Sequence, residues 1–157
     1  MSFDKAKEHL EKYGLADRIR VLAQSSATVE LAAAALGCEP ARIAKSLTFM
    51  VSGRPVMIVT AGDVKIDNAK YKAQFGVKAK MLTPAEVDEL IGHPVGGVCP
   101  FGTNGGVRVF LDNSLRRFDR LFPACGSGNT AVDLSIEELE KCSCAEGWVD
   151  VCKNISA

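Results

Sequence analysis

Lys45 and two glycine-rich stretches are the parts of this chain whose residue types and spacing could do chemistry. Residues 92–106 read G-H-P-V-G-G-V-C-P-F-G-T-N-G-G, with six Gly and two Pro in fifteen positions. Gly admits positive φ and lets a ligand or another backbone come close, while Pro fixes φ and removes a donor. Such a loop offers main-chain N–H groups on a stiffened frame. A second Gly-rich turn, Gly126-Ser127-Gly128-Asn129, and Asp133 follow downstream. A cation beside several N–H donors suits substrate positioning and oxyanion stabilisation better than covalent attack. The spacing fits neither the phosphate-loop pattern nor the dinucleotide fingerprint. The competing reading of residues 92–106 is a long turn between two elements.

Other catalytic sets are sparse. The chain has two histidines, His9 and His93, and His9 falls on the polar side of the first helix expected here. There is no G-x-S-x-G elbow and no H-E-x-x-H pair. A nucleophilic arrangement would have to join His93 to Cys99 or Ser127. Six cysteines are present: Cys38, Cys99, Cys125, Cys142, Cys144 and Cys152. Cys142, Cys144 and Cys152 could offer thiolates to a metal, yet no C-x-x-C unit or nearby His completes a zinc set. Reduced thiols are expected, with no metal and no cofactor.

The elements that must position these groups follow from periodicity and punctuation. Phe3, Ala6, Leu10 and Tyr13 recur at helical spacing, and Gly14 ends that helix. A strand is expected over 18–23, and Thr28 caps an Ala-rich helix over 29–36 that Gly37 stops. In the strand 43–51, Ile43, Lys45, Leu47, Phe49 and Val51 share one face, so Lys45 is the single charge on it. Burying an ammonium is costly unless it is paired or reaches a cleft; alternatively its stem snorkels outward. Gly53-Arg54-Pro55 reads as a turn into a central strand, 56–61. Asp67 caps a helix over 68–75, and Thr83-Pro84-Ala85-Glu86 is a capping box opening a helix to Ile91. Strands are expected at 107–111, 121–124, 130–134 and 148–152, with a second capping box at Ser135. Short helices among some seven strands, without regular βαβ alternation, point to an α+β fold.

With 157 residues and zero formal charge, one domain is expected, and attraction to polyanions must come from local basic patches. Lys65, Lys70 and Lys72, and then Arg116, Arg117 and Arg120, are such patches, though charge runs are commonly just solvated faces. No run of about 18 apolar residues could span a membrane, and the N-terminus lacks the plan of a signal peptide. The cytoplasm is the expected location.

In order along the chain, A-R-I-A-K-S-L-T-F (41–49), A-G-D-V-K-I-D (61–67), T-P-A-E-V (83–87), G-x-x-x-G-G-V-C-P-F-G (92–102), L-D-x-S-L (111–115) and G-S-G (126–128) resemble the YbaK/prolyl-tRNA editing-domain family. The likeness runs from about residue 20 to residue 140. It implies one compact α+β domain with a large mixed, mostly antiparallel, curved sheet and short helices around it. It also implies hydrolysis of mischarged aminoacyl-tRNA, notably tRNA for proline carrying a small wrong amino acid such as Cys or Ala. No metal and no covalent enzyme intermediate are implied, since water or the substrate's own hydroxyl or thiol attacks. By resemblance, Lys45 contacts the terminal adenosine or its phosphate. Gly96, Gly97, Pro100 and Gly102 shape the carbonyl-positioning loop. His93, Cys99 and Phe101 stand beside it as substrate contacts, with Gly126, Ser127, Gly128 and Asp133 closing the far side. The six basic residues above would meet the tRNA acceptor end, and prolyl-tRNA synthetase is the implied protein partner. The alternative is a binding module with the same fold and no hydrolysis. A third reading, a thiol hydrolase through Cys99, would lose activity on alkylation.

Overall fold

The computed structural model describes residues 2–155. In chain order the regular elements are α1 (Ser2–Glu11), β1 (Ile19–Val21), α2 (Val29–Leu36), β2 (Ile43–Val51), β3 (Arg54–Ala61), β4 (Val64–Ile66) and α3 (Asn68–Phe75). Then come α4 (Pro84–Glu86), prolonged by a π-helical turn Val87–Ile91, β5 (Arg108–Asp112), β6 (Arg120–Pro123), β7 (Thr130–Val132) and β8 (Leu134–Ser135). The last are α5 (Ile136–Cys142), β9 (Gly147–Val149) and β10 (Cys152–Asn154).

Local chemistry sets the helix starts. Thr28 accepts from Leu31 N–H to cap α2, and the Asp67 carboxylate accepts from Ala69 and Lys70 N–H to cap α3. Thr83 with Glu86, and Ser135 with Glu138, close reciprocal capping boxes on α4 and α5. Each satisfies N–H groups that a helix cannot satisfy itself.

Six strands form one curled mixed sheet in the order β8-β6-β2-β3-β5-β9, and β1·β7 and β4·β10 make two small antiparallel pairs. Along the main sheet, β2·β3 and β6·β8 are antiparallel, whereas β2·β6, β3·β5 and β5·β9 are parallel. Buried apolar side chains of β3 and β5 form the centre. On the face carrying α3, Phe49, Tyr71, Phe75 and Phe110 stack in series at 5.0, 4.9 and 5.5 Å between ring centres.

Three expected boundaries move. The strand expected over 130–134 is two, β7 beside β1 and β8 beside β6, with Asp133 between them. The β2–β3 turn is Ser52-Gly53, with φ of 51° and 79°, rather than residues 53–55. Two central residues with positive φ match the strand twist of a tight hairpin, so Pro55 enters β3. The last expected strand is two strands on different sheets, β9 beside β5 and β10 beside β4. Asp112 causes the break: its buried carboxylate accepts from Val151 N–H at 2.9 Å as well as from Ser114 N–H at 2.9 Å. Replacing Asp112 with Ala should therefore destabilise the protein by about 1–3 kcal/mol, because the buried Val151 N–H and the half-buried Ser114 N–H lose their acceptor. Urea denaturation measures this, and wild-type stability in the variant would show that the Val151 anchor is dispensable.

Candidate active site

The outer edge of β2 has a gap. β6 pairs with β2 only at Ile43 and Ala44. Further along, Met50 N–H donates to Lys80 O at 2.9 Å and Leu82 N–H to Thr48 O at 3.1 Å. Between these ladders a cavity of about 330 Å³ opens. Its wall is built from the start of α2 (Ala27, Thr28, Val29), β2 from Ile43 to Thr48, Pro84 of α4 and Val87 of the turn after it, the loop residues Val95, Gly96 and Val98, and Phe122, Ala124, Thr130 and Ala131 across the gap. Met81 and Val95, 58% and 67% exposed, leave apolar surface at this wall.

Lys45 lies on that wall, half-buried, and its ammonium donates to the Val64 carbonyl. Burial pulls its pKa below the ordinary lysine value, while Cys152, Asp63 and Glu30 work the other way. Among the described residues no carboxylate comes within ion-pair distance of it. A desolvated cation without an ionic partner gains from any anion brought to it.

The two glycine loops touch each other by main chain. Gly126 N–H donates to Gly97 O at 3.0 Å. A Cβ on Gly97 would lie 2.5 Å from Ser127 N and 2.6 Å from Gly126 C, and Gly126 itself sits at φ 85° against the Ser2 carbonyl. Three expected oxyanion donors are thereby spent inside the scaffold. Gly97 N–H donates to Pro94 O at 2.9 Å, Gly102 N–H to His9 Nδ1 at 3.0 Å, and Gly126 N–H as above. Of the loop glycines expected to act, Gly96 is the one that reaches the cavity wall.

His93, Cys99, Pro100 and Phe101 are buried beneath the loop rather than on that wall. His93 Nε2 donates to Phe101 O at 2.6 Å, and its Nδ1 is bonded to the Ser2 hydroxyl. Cys99 Sγ lies 3.6 Å from both His93 Nε2 and Phe101 O. The pair has the spacing of a Cys–His dyad, but Cys99 is fully buried and burial pushes its thiol far above the usual range. That disfavours thiolate chemistry. His9, read from the sequence as a polar-face residue, instead ties α1 to two other segments: Nδ1 accepts from Gly102, and Nε2 donates to Cys142 O at 2.6 Å. Sequence periodicity carries no signal for such a long-range role.

Ser127 Oγ bonds Thr130 Oγ1 at 2.8 Å and Asn129 Oδ1 at 3.0 Å, and Gly128 O accepts from Ser26 N–H at 2.6 Å. These bonds hold the turn against the segment before α2. Asp133 lies off the cavity wall, held by Arg20 at 3.2 Å and Arg120 at 2.9 Å. Lys70 is paired with Asp150 at 3.0 Å, and Arg117 clasps Asp63 through two bonds of 2.9 and 2.5 Å. Arg116 stacks 3.9 Å over the Trp148 ring. Lys65 and Lys72 are exposed. Among the described residues no cluster of three or more His, Cys, Asp or Glu is placed to hold a metal ion. No helix among them is long and apolar enough to cross a membrane.

A family model for the aminoacyl-tRNA editing domain matches residues 23–142. The chain belongs to this family. A relative in Bacillus subtilis strain 168, the uncharacterized protein YwhH, is 47% identical over 155 residues, covering 98% of this chain and 99% of that one. The proline–tRNA ligase of Nitratidesulfovibrio vulgaris strain Hildenborough is 34% identical over 90 residues, 57% of this chain but only 16% of the ligase. Among solved structures, a candidate trans-editing enzyme for prolyl-tRNA synthetase superposes with a TM-score of 0.87 at 28% identity, over 98% of both chains. The editing-domain match begins after α1, although α1 seats both glycine loops.

Two predictions follow from this geometry. Gly97→Ala should cost about 1–3 kcal/mol, since the methyl group meets backbone that cannot swing aside, whereas Gly105→Ala, with open space around it, should stay within ~1 kcal/mol of wild type. Urea denaturation compares them, and equal stabilities would remove the loop–loop contact from the account. Burial holds the pKa of His93 below its ordinary value, so the unfolded chain takes up that proton first as pH falls. Its share of stability is therefore complete above roughly pH 6.5 and declines below it, towards the folded pKa. The Tm of His93→Gln should fall less steeply than that of wild type between about pH 7 and 5; parallel slopes would place the proton on another group.

Proposed function

We propose that this chain is a trans-acting aminoacyl-tRNA deacylase, hydrolysing the ester of tRNA for proline that carries a small non-cognate amino acid such as Cys or Ala. The observation that carries the reading is a cavity bounded by Lys45 on one wall and Gly96 on another, at a gap in the sheet of an editing-domain fold. The aminoacyl group enters this cavity, whose Ala and Val walls limit its size. Lys45 leaves the Val64 carbonyl for the anionic terminal nucleotide, which restores the ionic partner that burial denies it. The main chain around Gly96 stabilises the carbonyl oxygen as negative charge develops on it. Water, or the substrate's own hydroxyl or thiol, supplies the attacking atom. Gly97, Pro100, Gly102, Gly126, Ser127 and Gly128 act by holding the loop in shape. His93, Cys99 and Phe101 fill the space beneath it.

The exposed Lys65 and Lys72 are proposed to meet backbone phosphates of the acceptor end, giving affinity with little sequence preference. Prolyl-tRNA synthetase is the proposed protein partner, by analogy with the relatives, and the setting is the cytoplasm. The test is deacylation of tRNAs charged with Ala, Cys, Ser or Pro by wild type and Lys45→Ala side by side. Loss of one or more non-cognate esters, slowed on the order of 100-fold by the substitution, is the expected result. Tight tRNA binding without turnover of any ester would instead identify a binding module, and full turnover in Lys45→Ala would remove Lys45 from the mechanism.

A further inference from the structure

Lys45 has a carboxylate for a neighbour whose charge is already committed. Its ammonium donates to the carbonyl of Val64, and the residue before Val64 is Asp63. Of the carboxylates whose charge bears on Lys45, Asp63 acts the more strongly and Glu30 the less. The nearby Cys152 thiol, pushed up to about 12 by burial, carries no charge at neutral pH. Asp63 is paired instead with Arg117: both of its oxygens accept from that guanidinium, at 2.9 and 2.5 Å.

Arg117 is fixed on its other sides. Its Nε donates to Ser114 O at 2.9 Å, and its guanidinium lies 4.9 Å from the centre of the Phe118 ring. Ser114 Oγ in turn accepts from Ala61 N–H at 3.1 Å, which docks the helical turn Asn113–Arg117 on the end of β3. The backbone of Asp63 is set as well. A Cβ on Gly62 would lie 2.1 Å from Pro40 O, and Asp63 O accepts from Ile155 N–H at 3.1 Å. What stays adjustable is the direction of the Asp63 side chain. With Arg117, Val29 and Glu30 it lines an open cavity of about 410 Å³, and Val29 also lines the first cavity. A guanidinium presents two parallel donors that match a carboxylate, whereas an ammonium is a compact point charge. Arg117 therefore holds the carboxylate, and Lys45 is left with a main-chain acceptor. A carboxylate in that place would compete with an arriving anion for the same ammonium.

We propose that Arg117 is a positioning residue: by holding Asp63 it withholds a carboxylate from Lys45 and keeps the ammonium available to the anionic end of the substrate. The kinetic consequence rests on the deacylase reading, while the electrostatic one stands apart from it.

The experiment follows the ε-carbon resonance of Lys45 against pH in wild type, Arg117→Ala, Asp63→Asn and the double variant, each carrying isotope-labelled lysine. Deacylation of tRNA for proline charged with Ala is measured on the same four proteins. Arg117→Ala should raise the Lys45 pKa by about one unit and lower kcat/KM by about tenfold, the free-energy equivalent of that shift, mainly through KM. Asp63→Asn should restore both in the Arg117→Ala background and move them far less in the wild-type one. Arg117→Lys, which leaves Asp63 a cationic partner, should stay nearer to wild type than Arg117→Ala on both readouts. Equal shifts of the Lys45 pKa by Asp63→Asn in the two backgrounds would mean that the charges merely add through space, and would overturn the proposal. So would an unmoved Lys45 pKa in Arg117→Ala. Activity that stays lost in the double variant would overturn it too, by assigning Arg117 to the tRNA backbone or to the fold. Should wild type hydrolyse no ester, the deacylase reading falls by itself, and the Lys45 titration alone decides whether Arg117 withholds Asp63.

Discussion

The hydrogen bond from Gly126 N–H to Gly97 O fixes the separation of the two loops that face each other across the open edge of β2. The contact is main chain to main chain, so it tolerates no Cβ at Gly97 and owes nothing to side-chain identity elsewhere. With it in place, Val95, Gly96 and Val98 stand on one side of the cavity and Ala124, Thr130 and Ala131 on the other. α1 supports the junction from below, through Ser2 against Gly126 and His9 against Gly102. The interior is rigid because its polar groups are committed: an N–H bonded to Pro94, Gly97 or His9 has little freedom to follow a moving ligand. Pre-organisation of this kind is what an oxyanion site needs, since reorganisation during reaction is costly.

Charge is distributed on the same plan. Arg18 with Glu138, Arg20 and Arg120 with Asp133, Arg108 with Glu146, Arg117 with Asp63, and Lys70 with Asp150 are surface pairs. Each contributes little to stability in water. Lys45 differs from them in being half-buried on the cavity wall, with no carboxylate within ion-pair distance among the described residues. A chain with no net charge can thus present a desolvated cation at its cavity without a broad basic field.

Much of the fold was legible because its rules are local. The limits of β2, the caps at Thr28, Asp67, Thr83 and Ser135, and the glycine stops after α2 and α3 depend on residues a few positions apart. The resemblance placed the chain in the editing-domain family, and the family match and shared fold bear that out. What escaped the sequence is long-range. Nothing local shows that β6 leaves β2 after Ala44, and that early departure creates the cavity. Glycine content marked the loop but not which N–H groups would be free, since the partners of Gly97, Gly102 and Gly126 include Pro94 and His9. His9 and Asp133 were misread for one reason: their polar partners lie on segments that no periodicity connects to them.

The parallel pairing of Ile43 with Phe122 and of Val56 with Arg108 also bears on how the cavity comes into being. Its wall draws on residues from Ser26 to Ala131, so on a chain emerging from the ribosome the β2–β3 hairpin can form while the opposing wall is still unmade. Loop-closure entropy makes such distant pairings slow relative to hairpins. The pocket is therefore among the last features to assemble, and Lys45 and the open β2 edge await loops that arrive late. Substitutions confined to those loops should accelerate unfolding more than they retard folding. The chemistry of the wall can then drift towards a new amino acid without jeopardising the nucleus from which the domain condenses.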